Sequence, residues 1–323
     1  VLGLSSASWY VDLETFGQEV QRSMQGIKRI TVLLMPLGLL VACSPNEAES
    51  IAPAAEPDET SMVAGAPAEG SEETAPDYYV EFMWCWAGDS ATEDTVAALL
   101  ADTDRLVDEL GGTNLDAFRL KPSGWTSDEF DFVDAMWWPE KATRDAVWQA
   151  WTDTNAQARI DAAHPGVESC GGEDWTYLWG FNAYVPRPPT SPWTWEHPPA
   201  AAEFQFCSYN EEKGPADLQG VVRGPFGEFL NAYDAANGGG SGYFFAYLHP
   251  DFELANAPAT EVAPAEYDFV WANYWETSSD RADGMTSFNE SGGAAIQAQF
   301  DEVASCGDPR LYEGTWIIRG DTG

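Results

Sequence analysis

The chain has 323 residues, with 53 Asp and Glu against 15 Lys and Arg, for a formal net charge of −38. So negative a field repels phosphate backbones and anionic lipid surfaces, which argues against nucleic acid as a partner. Apolar residues make up 44%, with 15 Trp, 12 Tyr and 16 Phe, enough for real cores, so disorder throughout is excluded too.

Residues 1–23 precede Met24 and read as an over-extended start, with no fold assigned to them. Met24 to Cys43 runs MQGIKRITVLLMPLGLLVAC. Lys28 and Arg29 open it with positive charge, and Ile30 to Ala42 is an apolar stretch of 13 residues. That stretch is too short for a bilayer core of ~30 Å but suits a signal peptide. It ends Leu40-Val41-Ala42-Cys43, which resembles the lipobox of bacterial lipoproteins. The resemblance implies lipidation of Cys43, which becomes the mature N-terminus. By that family's sorting rule, Ser44 next to it implies the periplasmic face of the outer membrane of a Gram-negative bacterium. The other reading is a short buried helix or anchor that happens to end in Cys. Residues 44–77 hold nine acidic residues and no basic one, with almost nothing to bury, and read as a disordered tether.

From Tyr78 onward the chain repeats itself. Val80-Glu81-Phe82-Met83-Trp84-Cys85 matches Ala202-Glu203-Phe204-Gln205-Phe206-Cys207 at an offset of 122. Lys121-Pro122 matches His249-Pro250 at 128, Asp131-Phe132-Val133 matches Asp268-Phe269-Val270 at 137, and Ser169-Cys170 matches Ser305-Cys306 at 136. Trp138 and Arg144 return as Trp275 and Arg281, also at 137. The matches keep their order, which sets a first repeat at 78–181, a Pro- and Trp-rich linker at 182–200 and a second repeat at 201–323.

Each copy predicts the same elements. A strand (Tyr78–Trp86; Glu203–Tyr209) leads to a helix (Ala91–Leu110; Pro215–Ala236) ended by Gly111-Gly112 or by Gly238-Gly239-Gly240. Two strands follow (Leu115–Lys121 and Glu129–Trp137; Gly242–His249 and Tyr267–Tyr274), then one long helix (Pro139–Ala162; Ser279–Val303) and a last strand (Trp175–Phe181; Tyr312–Arg319). The order is βαββαβ, the ferredoxin-like unit. In that unit the first and fourth strands are antiparallel neighbours, so the pairings Cys85–Cys170 and Cys207–Cys306 are expected, the intradomain and symmetric choice among three. A metal site is the rival reading, but no CxxC spacing or nearby His supports it, and no metal is expected.

Two fused copies resemble the dimeric α+β barrel superfamily, including antibiotic-biosynthesis-monooxygenase-like domains, on element order and on the turn at Trp138-Pro139-Glu140 and Trp275-Glu276-Thr277. The resemblance implies an α+β fold in which two sheets pack face to face with helices outside, a pseudo-dimeric α+β barrel within one monomeric chain. Haem-degrading members use a pocket Asn, Trp and His. Here His164 falls after the second helix, and no cofactor is expected.

Strand alternation places Val80, Phe82, Trp84 and Trp86 on one face and Glu81, Met83 and Cys85 on the other. In copy two, Phe204 and Phe206 oppose Glu203, Gln205 and Cys207. If the apolar set faces the helices, Glu81 and Glu203 point into the space between the sheets, as acid, base or cation ligand; otherwise they are hydrogen-bonded to neighbours or open to water. With them, Gln205, Met83, Trp138, Trp275, Arg144 and Arg281 make up the candidate pocket. Arg144 and Arg281 read either as helix-surface ion pairs or as forks for a carboxylate ligand. Trp148 and Trp151 pack inward, and Trp193 and Trp195 either cover the domain seam or stack on a ligand. His164, His197 and His249 are scattered, and no nucleophile elbow, phosphate loop or dinucleotide fingerprint appears. The reading preferred here is an envelope lipoprotein that binds a small molecule or another partner and touches the membrane only through its lipid. The alternatives are a cofactor-independent monooxygenase- or isomerase-like enzyme using Glu81 or Glu203 as base, and glycan capture by exposed Trp.

Overall fold

A computed structural model describes residues 75–172, 175–191, 199–251 and 267–320. Cys43 with its leader, residues 44–74 of the acidic stretch, Trp193, Trp195 and His197 lie outside them. The described part is an α+β fold on an antiparallel sheet. Its first half runs β1 (Tyr78–Ala87), α1 (Glu93–Glu109), β2 (Asp116–Pro122), β3 (Phe132–Trp138), α2 (Lys141–Asp153), α3 (Ala156–Ala163), β4 (Glu168–Cys170) and β5 (Leu178–Arg187). The second runs β6 (Ala200–Tyr209), α4 (Pro215–Val221), a π-turn (Val222–Phe226), α5 (Gly227–Ala236), β7 (Phe244–Pro250), β8 (Phe269–Trp275), α6 (Ser278–Glu290), α7 (Gly293–Val303), β9 (Ala304–Cys306) and β10 (Arg310–Ile318).

Local chemistry sets the helix ends and breaks. Thr92 caps α1, its hydroxyl accepting from the Thr95 amide while the Thr95 hydroxyl accepts from the Thr92 amide. The long helices expected at Pro139–Ala162 and Ser279–Val303 are each two helices. Asn155 (φ 52°) and Gly292 (φ 87°) take left-handed backbone at equivalent positions, a conformation that Asn and Gly tolerate and that ends a helix. The helix expected at Pro215–Ala236 is interrupted at Gly224-Pro225, where proline brings no N–H to the helical ladder.

The sheet has ten strands. β1 lies between β3 and β5, and β6 between β8 and β10. β5 also pairs with β7 (Asn182 opposite His249), and β10 with β2 (Gly314 opposite Leu120). These two seams close eight strands into a ring, with β4 and β9 appended to β1 and β6. The expected two facing sheets are therefore one continuous barrel. Each half's last strand carries hydrogen bonds along both its edges, so the ring has no edge to protect. β5 runs on to Arg187 and β6 begins at Ala200, which shortens the linker expected at 182–200 to 188–199. Asp77 is already fastened to β5, through its amide to the Ala183 carbonyl and through its carboxylate, which accepts from the Val185 amide.

Which strand face turns inward reverses the expectation. Val80, Phe82, Trp84, Trp137, Trp179, Phe204, Tyr274 and Tyr312 share the barrel interior. Phe82 and Phe204, one from each half at matching positions, stack at 5.1 Å between ring centroids. The ring encloses a space that water does not fill, so the large apolar face belongs there. Glu81 and Glu203 consequently face outward, beneath the helices, and no hollow between sheets receives them.

Cross-strand disulfides join Cys85 to Cys170 and Cys207 to Cys306, spanning 85 and 99 residues of chain. The repeated Asp does the same work twice: the Asp131 and Asp268 carboxylates accept from the Ala87 and Tyr209 amides at the ends of β1 and β6. Replacing Phe82 by Ala removes half of the central stack. It is expected to lower stability by about 3–5 kcal/mol, read as a shift of the urea midpoint at unchanged slope.

Candidate functional site

The fourth residue of β1 and of β6 is a carboxylate under a helix. Glu81 is fully buried. Its Oε1 accepts from Arg144 Nε at 2.6 Å and Nη2 at 2.5 Å, and its Oε2 accepts from Trp138 Nε1 and Trp148 Nε1, both at 2.9 Å. Arg144 Nη1 continues to Asp145 at 3.0 Å. Burial works against the Arg144 charge, but the Glu81 carboxylate outweighs it and raises the guanidinium pKa. Charges taken this far out of water need hydrogen-bonded partners, and here both Glu81 oxygens and all three Arg144 side-chain nitrogens have one.

The second half keeps the pair and changes its company. Glu203 Oε2 accepts from Arg281 Nη2 at 2.5 Å and Nε at 3.2 Å. Its Oε1 accepts from Asn273 Nδ2 at 3.3 Å, and Asn273 Oδ1 in turn accepts from the Tyr243 hydroxyl at 2.9 Å and Trp271 Nε1 at 2.8 Å. Burial, then the Glu203 charge, push the Tyr243 phenol well above its usual pKa, so it serves as a neutral donor.

Pairing α2 with α6 residue by residue, at the offset of 137, shows what differs. Asp145 becomes Ala282, Val147 becomes Gly284, Trp148 becomes Met285 and Trp151 becomes Phe288. In the first half Trp148 lies over the carboxylate, edge-on to Trp151 and Trp175, and the remaining cavity is about 120 Å³. Met83 and Trp138 line that cavity, whereas Glu81 and Arg144 are sealed from it. In the second half the loss of the indole and of a valine leaves about 370 Å³ between sheet and helices. Glu203, Gln205, Trp275 and Arg281 all line it, along with Tyr243, Trp271, Asn273, Phe226, Phe229, Phe288 and Phe300. Met285, 37% exposed, is part of this lining.

The eight residues expected to form one inter-sheet pocket thus fall into two places on the helix side. Neither arginine makes a helix-surface ion pair with a helix partner alone; both reach across to the strand glutamate. Asn273, Tyr243, Gly284 and Met285 escaped the sequence reading. The signal for the last two was present in the helix alignment, as small or flexible residues opposite Val147 and Trp148.

Among the described residues, the first half holds a further buried ionic group that the matching register positions of the second half lack. Arg119 on β2 makes a bidentate contact with Asp134 at 2.9 and 2.8 Å and another with Glu168 at 2.9 and 3.0 Å. Burial opposes the Arg119 charge, but the two carboxylates outweigh it and hold the guanidinium pKa high. The register equivalents in the second half are Tyr247, Trp271 and Ala304. Cys85, Asp134 and Cys170 form the one grouping among the described residues close enough for a metal. Its sulfurs are joined in a disulfide and its carboxylate is held by Arg119. The larger cavity has no histidine in its lining, and its one cysteine, Cys306, is in a disulfide. His164 is bonded to Asp102 in the first half, and His249 on β7 packs against Tyr184 and Phe269. The described residues that line the cavity do not fit a haem held by imidazole or thiolate. Among the described residues no helix is long and apolar enough to cross a membrane.

No family model matches the sequence, and no curated relative does. Solved structures of similar shape include a mutant chlorite dismutase from Candidatus Nitrospira defluvii in complex with cyanide, at 12% identity over 76% of this chain and 93% of that one, with a TM-score of 0.43. Another is a heme-binding protein from Thermus thermophilus, at 11% identity over 74% and 91% of the two chains, with a TM-score of 0.40.

The two ion pairs differ in exposure: the Arg144 side chain is 10% exposed and that of Arg281 27%. Arg144→Met leaves Glu81 buried without its cationic partner, and is expected to cost about 3–5 kcal/mol. Arg281→Met is expected to cost less, because cavity water reaches Glu203. Chemical denaturation of both variants checks the order.

Proposed function

We propose that residues 75–320 form a small-molecule-binding domain, built from two ferredoxin-like βαββαβ repeats as a pseudo-dimeric barrel and tethered to the outer membrane through a lipidated Cys43. One observation carries the binding reading. The Glu–Arg pair is present in both halves, but in the second it lines a cavity of about 370 Å³, within the range of small-ligand sites. In the first, Trp148 caps the same pair. One copy keeps a closed core and the other has an opened one, at positions where a purely structural domain gains nothing from a void. Unfilled apolar volume costs stability in proportion to its size.

The larger cavity has aromatic walls and a polar floor of Glu203, Arg281 and Asn273. That composition suits an apolar molecule with a polar end. Copying the plug tests it: Gly284→Val with Met285→Trp gives α6 the first half's residues. The double variant is expected to fold with equal or higher thermal stability and to lose binding of a neutral apolar fluorescent probe such as N-phenyl-1-naphthylamine. Unchanged probe binding would place the probe elsewhere and defeat the reading.

An enzymatic use of the same cavity is the second reading. It is favoured by Glu203 Oε1, which lies on the cavity wall with a single long hydrogen bond at 3.3 Å and is the carboxylate oxygen best placed to take a proton. Glu203→Gln separates the readings, since it removes proton transfer and leaves the cavity's shape. The tether is checked apart from the cavity. Cys43→Ser is expected to abolish palmitate labelling and to move the chain from the membrane to the soluble fraction.

A further inference from the structure

This inference rests on the binding reading and concerns what the ligand's polar end is. In the first half every donor around the carboxylate is used: Trp138 Nε1 and Trp148 Nε1 on Glu81, and Arg144 Nη1 on Asp145. In the second half Trp275 and Arg281 keep two of these donors, Met285 replaces the third, and each kept residue has an N–H with no protein acceptor among the described residues. Trp275 is 5% exposed and lines the cavity, and its indole N–H has no hydrogen-bond acceptor among the described residues. Arg281 spends Nε and Nη2 on one oxygen of Glu203, and Ala282 stands where Asp145 held the other arm, so Nη1 is unspent. The Arg281 guanidinium sits 5.6 Å from the Trp275 ring, so both groups stand at one end of the cavity. Gly284 keeps that end open: a Cβ there would stand 3.5 Å from Trp275 Nε1, where the first half has Val147.

Both residues line the cavity, and neither N–H is sealed away from it without a partner, so a ligand acceptor there replaces water on a donor already open to the ligand space. Both unspent groups are donors, and the Arg281 charge is already balanced by Glu203. A further carboxylate would be brought up to Glu203 in a chain of net charge −38, so charge selects against it. We infer that Trp275 Nε1 and Arg281 Nη1 form a subsite for a neutral acceptor oxygen, such as a ketone, ester or lactone carbonyl, on an otherwise apolar ligand seated among Phe226, Phe288 and Trp271.

Three probes of one ring system, titrated against the full chain by intrinsic fluorescence and calorimetry, test this. They are naphthalene with no acceptor, 2-acetonaphthone with a neutral carbonyl, and 2-naphthoate with a charged carboxylate. The ketone is expected to bind at least about tenfold tighter than naphthalene and tighter than the naphthoate, about 1.4 kcal/mol for the first comparison. Trp275→Phe, which keeps the ring and deletes the N–H, is expected to shrink the ketone's advantage while leaving naphthalene binding in place. Equal binding of ketone and naphthalene, preference for the naphthoate, or an advantage unmoved in Trp275→Phe would each overturn the subsite but leave the cavity reading standing. Failure of all three probes on the unmodified chain would overturn the cavity reading itself.

Discussion

A carboxylate that must leave water needs a partner brought from another element, and in this protein that requirement is met twice by an arginine one helix away. Glu81 and Glu203 sit mid-strand, where neighbouring strands cover them on both sides and a helix covers them above. Without Arg144 and Arg281 the desolvation cost would fall on the folded state alone. The pairs pin α2 and α6 to the barrel in a fixed orientation. That orientation then determines which helix residues overhang the carboxylate and which space is left.

The barrel makes this arrangement necessary. Closure through the β5–β7 and β10–β2 seams gives every ring strand two partners and leaves an interior too small for anything but packed side chains. Phe82 and Phe204 meet there across the pseudo-symmetry between the halves. Once the aromatic face of each first strand is committed inward, period-two alternation sends the glutamates out. The helix side is the only place where a charged partner can reach them.

The halves have diverged by exchanging kinds of burial. The first half holds an Arg119–Asp134–Glu168 ionic group and a tryptophan plug. The second replaces the ionic group with Tyr247, Trp271 and Ala304 and the plug with Met285. The result is a sealed core on one side and an aromatic cavity floored by an ion pair on the other. A barrel shared between two halves allows this, because one half's core supports the ring while the other opens.

Much of this was legible in the chain. Repeated Glu-Phe-x-x-Cys segments and recurring Asp-Phe-Val and Ser-Cys pairs pointed to strands and disulfides that the sheet pairs in matching registers. Element order and cysteine positions were readable because they depend on local pattern and on strand adjacency. The helix breaks at Asn155 and Gly292 were harder to see, because a single left-handed residue leaves the apolar period on either side nearly intact. The direction in which each strand faces was not legible at all. Alternation separates Glu81 from Phe82 but is silent on which of them meets the other half, and both faces of these strands are buried. Only closure of the ring, which sets the interior volume and excludes water from it, decides that the phenylalanines go in and the glutamates go under the helices. The cavity is likewise a tertiary fact, since Gly284 and Met285 acquire meaning only when α6 is seen lying over Glu203.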